Sequence, residues 1–253
     1  MNISLENEVV VVTGAAARLG RAIALECARA GAKVAITYNH SQDEAKQTLT
    51  LLQQAAPHHP QEGFCAFQAD VSQAVDVQRL AAQVQSTLGT PTALVNNAAI
   101  FRRTPFDTLT EADFDAHIAA NLKGPYLMCK QFGDIFLENK RGHIVNFADI
   151  HALRPLKNYL PYCLSKAGVV MLTQSLALAL APHVRVNCIC PGTILVPSET
   201  QGEDDELEQL LPKIPLQRLG TPDEIAATVV FLLGGPQFIS GAILPVDGAQ
   251  RLR

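Results

Sequence analysis

Short runs of apolar residues alternate along the chain with longer stretches whose apolar positions recur every three or four residues. The short runs are Val9–Val12, Lys33–Tyr38, Phe64–Gln68, Ala93–Val95, His143–Phe147, Val184–Ile189 and Ile243–Val246. Their length and β-branched content predict strands. The periodic stretches predict helices over Leu19–Ala30, Ser41 to about Ala56, 74–88, Thr110 to about Leu137, Asn158–Ala181, and from Thr221 to about Leu233. Gly31, Gly89 and Pro182 punctuate three helix ends. Ser41 with Glu44, and Thr221 with Glu224, have the spacing of capping boxes, and Pro222 stands at a first helical position.

Strand and helix alternate throughout, and the strands are apolar on both faces. That pattern predicts a parallel sheet covered by helices on both sides. Right-handed crossovers then make it an α/β doubly wound fold, a single domain over residues 1–253. No repeat, low-complexity tract or linker divides the chain. The irregular stretch is Thr193–Leu219, with three prolines and the acidic run Glu203–Glu206. Its place beyond the sixth strand predicts a flap on the substrate side, about 193–219, with the acidic run as solvated surface.

Composition adds exclusions. Apolar residues make up 48% of the chain and charged residues 17%, enough core material to exclude disorder. The formal net charge of −4 gives no electrostatic reason to expect nucleic acid. No stretch is expected to reach the roughly 18 apolar residues needed to span a membrane. Met1–Glu8 carries Glu6 and Glu8 and no basic residue, so no secretory signal is expected. The six cysteines are scattered without a C-x-x-C pair. Cys188 and Cys190 would share a strand face, but no second pair has ligand spacing, so free thiols and no metal site are expected. A cytoplasmic location follows from these readings.

The first strand runs into Thr13-Gly14-Ala15-Ala16-Ala17-Arg18-Leu19-Gly20, and a helix follows. Gly14 permits a tight turn, the alanines allow close backbone approach, and Gly20 lets helix and strand pack closely. The helix N-terminus then offers N–H groups and partial positive charge to a pyrophosphate, as in a Rossmann-type site. Arg18 brings a permanent charge toward those phosphates. The end of the second strand reads Tyr38-Asn39-His40-Ser41, with no acid before Asp43. An acid there would repel a 2′-phosphate, so NADPH is expected over NADH.

Tyr162 and Lys166 stand four residues apart, one turn along a helix face. A lysine cation beside a phenol favours the phenolate, so Tyr162 is expected to exchange a proton with substrate while hydride moves. His151 lies two residues beyond Asp149 and could face the pocket, but it is read, with His117 and His143, as structural or solvated.

On these motifs the chain resembles the short-chain dehydrogenase/reductase family. The matching pieces are residues 13–20, Asp70-Val71, Asn96 to Ala99, Asn121, Tyr162 with Lys166, and Pro191-Gly192. The resemblance implies a relay through Asn121, Lys166 and Tyr162. It implies Asp70 and Val71 near the adenine, and Asn97, Ala98 and Ala99 along the cofactor with Pro191 and Gly192. It also implies that Lys166 holds the nicotinamide ribose, and it points to a homotetramer. The helices at 110–137 and 158–181 are apolar enough to pack against partners.

Two departures from the usual family pattern stand out. Arg18 takes the place of a glycine, and Asp149, thirteen residues before Tyr162, takes the place of a serine. With Phe101 and Thr104-Pro105 they resemble the pteridine reductases. By position, Arg18 would touch phosphate and pterin, Phe101 would stack on the ring, and Asp149 and Tyr162 would serve catalysis. His40 stands where a stronger base for the 2′-phosphate would be expected. The chemistry agrees: a carboxylate cannot donate to a ketone oxygen but can accept from a ring N–H. The expectation is an NADPH-dependent reductase of a pterin or folate-like C=N bond. The alternatives are reduction of a carbonyl, such as a 3-oxoacyl thioester or small ketone, and a non-catalytic cofactor sensor.

Overall fold

A computed structural model of the chain describes residues 3–56, 63–194 and 210–253. The strands are β1 Val9–Val12, β2 Lys33–Tyr38, β3 Phe64–Gln68, β4 Ala93–Asn96, β5 Gly142–Phe147, β6 Val184–Pro191 and β7 Ile243–Val246. They form one parallel sheet in the order β3-β2-β1-β4-β5-β6-β7. The helices are α1 Arg18–Arg29, α2 Gln42–Ala55, α3 Ala74–Leu88, α4 Glu111–Ile118, α5 Gly124–Glu138, α6 Leu160–Ala179 and α7 Pro222–Gly234.

The four valines of β1 explain the layering. Val10 and Val12 face one core with Ile23 of α1, Leu52 of α2 and Val229 of α7. Val9 and Val11 face another with Leu80 of α3 and Met128 and Phe132 of α5. A strand alternates its side chains, so a strand apolar at every position must be covered twice. The strand order reverses between β1 and β4, which opens a crevice beyond their C-terminal ends.

Three expectations change. The helix expected from Thr110 to Leu137 is interrupted by a wider π turn at Ala119–Lys123 between α4 and α5. There the Asn121 side chain accepts from the Ile100 N–H at 2.8 Å and donates to the Ile100 carbonyl at 2.9 Å. Reaching that loop displaces the backbone, which a hydrophobic period cannot reveal. The Ser41 side chain makes no capping bond to the first turn of α2, whereas Thr221 and Glu224 do form their box. Asn158 lies outside α6, with φ 67° and its carbonyl taken by the Thr104 N–H at 2.7 Å.

Contrary to expectation, helix α6 is by length and composition alone long and apolar enough to cross a membrane. In this fold it lies against the sheet with Tyr162, Ser165, Lys166 and Thr173 buried. All six cysteines are unpaired, and Cys65 is less buried than the rest. Burial pushes the Cys27 and Cys129 thiols up to about 12. Of the expected flap, 195–209 with the acidic run lies outside the described residues. At its base, Gln250 accepts from the Thr193 N–H at 2.9 Å and donates to its hydroxyl at 3.0 Å.

Candidate active site

The turn after β1 is held from three sides. Thr13 Oγ1 accepts from the N–H groups of Asn97 and Ala98, each at 3.0 Å, and ties β1 to the end of β4. Asn97 Nδ2 donates to the carbonyls of Thr13 and Gly14 at 3.0 and 3.1 Å. Arg21 donates to the Ala16 carbonyl at 2.9 Å and to Thr48 Oγ1 at 2.7 Å, and Thr48 donates to the same carbonyl at 2.7 Å. The N–H groups of Gly14 and Ala15 donate to Thr37, to its hydroxyl at 3.3 Å and its carbonyl at 3.0 Å, so a phosphate would meet the backbone donors at the first turn of α1.

Two glycines keep the turn open. Gly14 holds φ 62°, and a Cβ on it would lie 2.8 Å from Ala98 Cα. A Cβ on Gly20 would lie 2.5 Å from the Gly14 carbonyl oxygen and 2.6 Å from Asn97 Nδ2. Gly20→Ala should therefore lower stability by about 1–3 kcal/mol and weaken cofactor binding with it. A thermal melt with and without cofactor checks this, and an unshifted Tm in both would refute it.

Beyond the turn opens a cleft of about 750 Å³. It is lined by Gly14, Arg18, Leu19 and Gly20, by Tyr38, Asn39, His40 and Ser41, and by Asp70 and Val71. Asn97, Ala98, Ala99, Phe101, Asp149, Tyr162, Lys166, Pro191 and Gly192 complete the expected set. Asn121 is the exception. Its side chain is fully buried, clamps Ile100, and donates to Ser165 Oγ at 3.2 Å. A relay through Asn121 would have to use its backbone.

The reacting end is built around α6. Tyr162 donates to Asp149 Oδ2 at 2.7 Å, while Asp149 Oδ1 accepts from the His151 N–H at 2.8 Å. Asp149 is thus both the cap of a short 3₁₀ turn, Ile150–Ala152, and the partner of the phenol. Lys166 Nζ donates to the Phe147 carbonyl at 2.8 Å and lies 5.9 Å from the Tyr162 ring centre. Burial, and then the Asp149 carboxylate, push the Tyr162 phenol well above its ordinary range. Burial also lowers the Lys166 ammonium. The expectation that lysine lowers the phenol is not met: burial first, and then the carboxylate in contact, raise it. Tyr162 is poised to hold a proton and give it away.

Aromatic rings wall one side. Phe101 stacks on Tyr159 with centres 4.5 Å apart and meets Tyr162 edge-on at 4.8 Å. One face of Phe101 is thus already engaged. Tyr159 was missed in the sequence, and its spacing of three residues from Tyr162 was the available signal. His151 also lines the cleft. Arg21 and Thr48 carried no local signal, because they act through contacts between α1 and α2.

A nicotinamide dinucleotide fits these residues. A glycine cradle that no Cβ could enter adjoins a helix N-terminus, and a proton donor sits at the far end of the same cleft.

The comparisons agree with the geometry. The family model described as enoyl-(acyl carrier protein) reductase matches residues 14–249. A 2-(S)-hydroxypropyl-CoM dehydrogenase of Xanthobacter autotrophicus is 35% identical, covering 99% of each chain. The 3-oxoacyl-[acyl-carrier-protein] reductase FabG of Staphylococcus epidermidis is 33% identical over 96% of this chain and 99% of its own. The crystal structure of levodione reductase superposes with a TM-score of 0.91 at 28% identity, covering 98% of each chain. Fold, cleft and relatives together place this chain in the short-chain dehydrogenase/reductase family of oxidoreductases.

Proposed function

We propose that the protein is an NADPH-dependent reductase of a C=N bond in a flat, N–H-bearing ring of the pterin or dihydrofolate type. The contact between Tyr162 and Asp149 carries this reading. A serine at position 149 could donate a hydrogen bond to a substrate oxygen. The Asp149 carboxylate accepts only, and its charge opposes a developing alkoxide. It suits a substrate that presents N–H groups.

When bound, the cofactor supplies the hydride for the carbon of C=N. Tyr162 supplies the proton for the nitrogen, so that C=N becomes CH–NH. Asp149, open to the cleft, passes a proton from solvent back to the phenolate. Lys166 offsets the phenolate charge while it lasts and, lining the cleft, would hold the ribose. Arg18, in the cleft lining, would neutralise phosphate and could touch the ring. Phe101, backed by Tyr159, gives the ring a flat wall. Arg18 and the absence of an acid across Tyr38–Ser41 support NADPH.

Arg18 holds φ 53°, a left-handed conformation that costs a side chain about 1 kcal/mol or more. Arg18→Gly should leave the Tm unchanged or raised while KM for NADPH rises about tenfold or more, the loss of one charge-assisted contact. An unchanged KM would remove Arg18 from the cofactor site.

The relatives favour a second reading, reduction of a carbonyl such as a 3-oxoacyl thioester, because FabG is named for that activity. Exposed Leu160, Leu164, Met171 and Leu178 along α6 support a homo-oligomer, which we take to be a tetramer in the cytoplasm. NADPH oxidation with dihydrobiopterin and dihydrofolate, beside a small ketone and a 3-oxoacyl thioester, separates the readings. Turnover of the pterins alone supports the first, and turnover of the carbonyls alone replaces it with the second.

A further inference from the structure

Two loops form the outer rim of the cleft beside Phe101. One is residues 101–104, after β4, and the other is residues 153–159, leading into α6. They are joined by the Thr104 N–H to the Asn158 carbonyl at 2.7 Å, by a bridge between Thr104 and Tyr159, and by the Phe101–Tyr159 stack. The ring of His151, in the cleft wall, contacts the Arg154 carbonyl at 3.1 Å. The rim is therefore a continuation of the site and not a separate surface.

Four cations stand on it: Arg102, Arg103, Arg154 and Lys157, all exposed. Among the described residues, seven other cations form ion pairs with carboxylates, and none of these four does. The carboxylate of Asp113, which feels Arg102 weakly, is occupied by the Thr110 N–H at 3.0 Å and the Thr110 hydroxyl at 2.6 Å. Asp107 lies beyond Thr104 in sequence and pairs with none of the four. The whole chain carries a net charge of −4. Four cations on two joined loops beside the cleft, none paired with a carboxylate, run against that balance and are available to an anion. At the inner end of the same wall, Asp149 presents the opposite sign.

We propose that this rim recognises an anionic tail, carboxylate or phosphate, carried by the substrate away from its reacting group. Arginines pair with either anion through two parallel N–H bonds. The polarity from Asp149 outward sets the direction of entry, N–H-bearing head inward and anion outward. The inference rests on the proposed function only in that substrate enters beside Tyr162, and it holds for either head group.

The test compares matched substrates in the wild type and in the double variant Arg103→Glu/Lys157→Glu. One pair is dihydrobiopterin and dihydrofolate, whose glutamate tail is anionic. The other is a 3-oxoacyl N-acetylcysteamine thioester and the corresponding coenzyme A thioester, whose tail carries phosphates. In whichever pair is turned over, the tailed member should have the lower KM by about tenfold at low salt, an advantage lost in high salt. The double variant should raise that KM about tenfold, the size of one or two charge-assisted contacts, with kcat and the tail-less KM kept. The pair that responds tells carboxylate from phosphate. Equal KM values within each pair, or an unmoved KM in the variant, overturn the inference.

If neither head is turned over, that failure belongs to the proposed function. The rim is then read by equilibrium binding of p-aminobenzoylglutamate and of coenzyme A. Binding that the variant abolishes supports it, and no binding overturns it.

Discussion

Tyr162→Phe is expected to lower reductive kcat by about 10²–10⁴, the usual contribution of a general acid, with the cofactor Kd nearly unchanged. The substitution removes only Oη. The ring keeps its edge contact with Phe101 and its place below Lys166. What disappears is the proton destined for the substrate and the donor to Asp149. Asp149 faces the cleft, so water can take the vacated bond and the fold survives. Cofactor titration by fluorescence and steady-state kinetics on one preparation separate binding from chemistry. Undiminished turnover with intact cofactor binding would remove Tyr162 from the mechanism. The pH profile carries the same information with a definite sign. The acid form is the active one in reduction, and the phenol is held above its ordinary value of 10.0. Loss of the Tyr162 proton should therefore begin to slow reduction only above that pH.

Asp149→Ser is the second large effect. Serine can still accept from the His151 N–H, so the short turn keeps its cap. It removes a negative charge from beside Tyr162 and adds a donor. Turnover of a pterin should fall by about 10²-fold, as for loss of a positioned proton-transfer partner. Turnover of a ketone or 3-oxoacyl thioester should rise. The phenol, released from its second-largest perturbation, should titrate at lower pH, moving the alkaline limb of the profile down. Initial rates for both substrate classes across pH check this. Pterin turnover unaffected by the change would mean that Asp149 serves only as a turn cap.

Both experiments depend on how different parts of the chain meet, and the residues differ in how plainly the sequence announces them. The glycines at 14 and 20 could be read from their place in the turn after β1, and the fold shows why no Cβ fits: it would lie 2.8 Å from Ala98 Cα at the first and 2.5 Å from a carbonyl oxygen at the second. Tyr162 and Lys166 were readable because four residues make one helical turn. The π turn at Ala119–Lys123 was not, since Asn121 answers to Ile100, twenty-one residues earlier. Nor were Arg21 and Thr48, whose joint hold on the Ala16 carbonyl exists only once α1 and α2 pack. The buried chain from Asn96 to Asn146 to Thr173 likewise joins β4, β5 and α6. Each member alone looks like an ordinary polar residue in an apolar run.

Local chemistry therefore settled the architecture: apolar strands force two covering layers, and the glycine turn after β1 locates the crevice. Tertiary contact settled the electrostatics. Tyr162 four residues from Lys166 reads as a lowered phenol. Folded, the phenol lies 2.7 Å from a carboxylate and the ammonium 5.9 Å from its ring, both out of water, so its proton is held more tightly. Periodicity follows from bonds along the chain. The protonation of a buried group follows from distances across it, in a medium where a few ångströms change the sign.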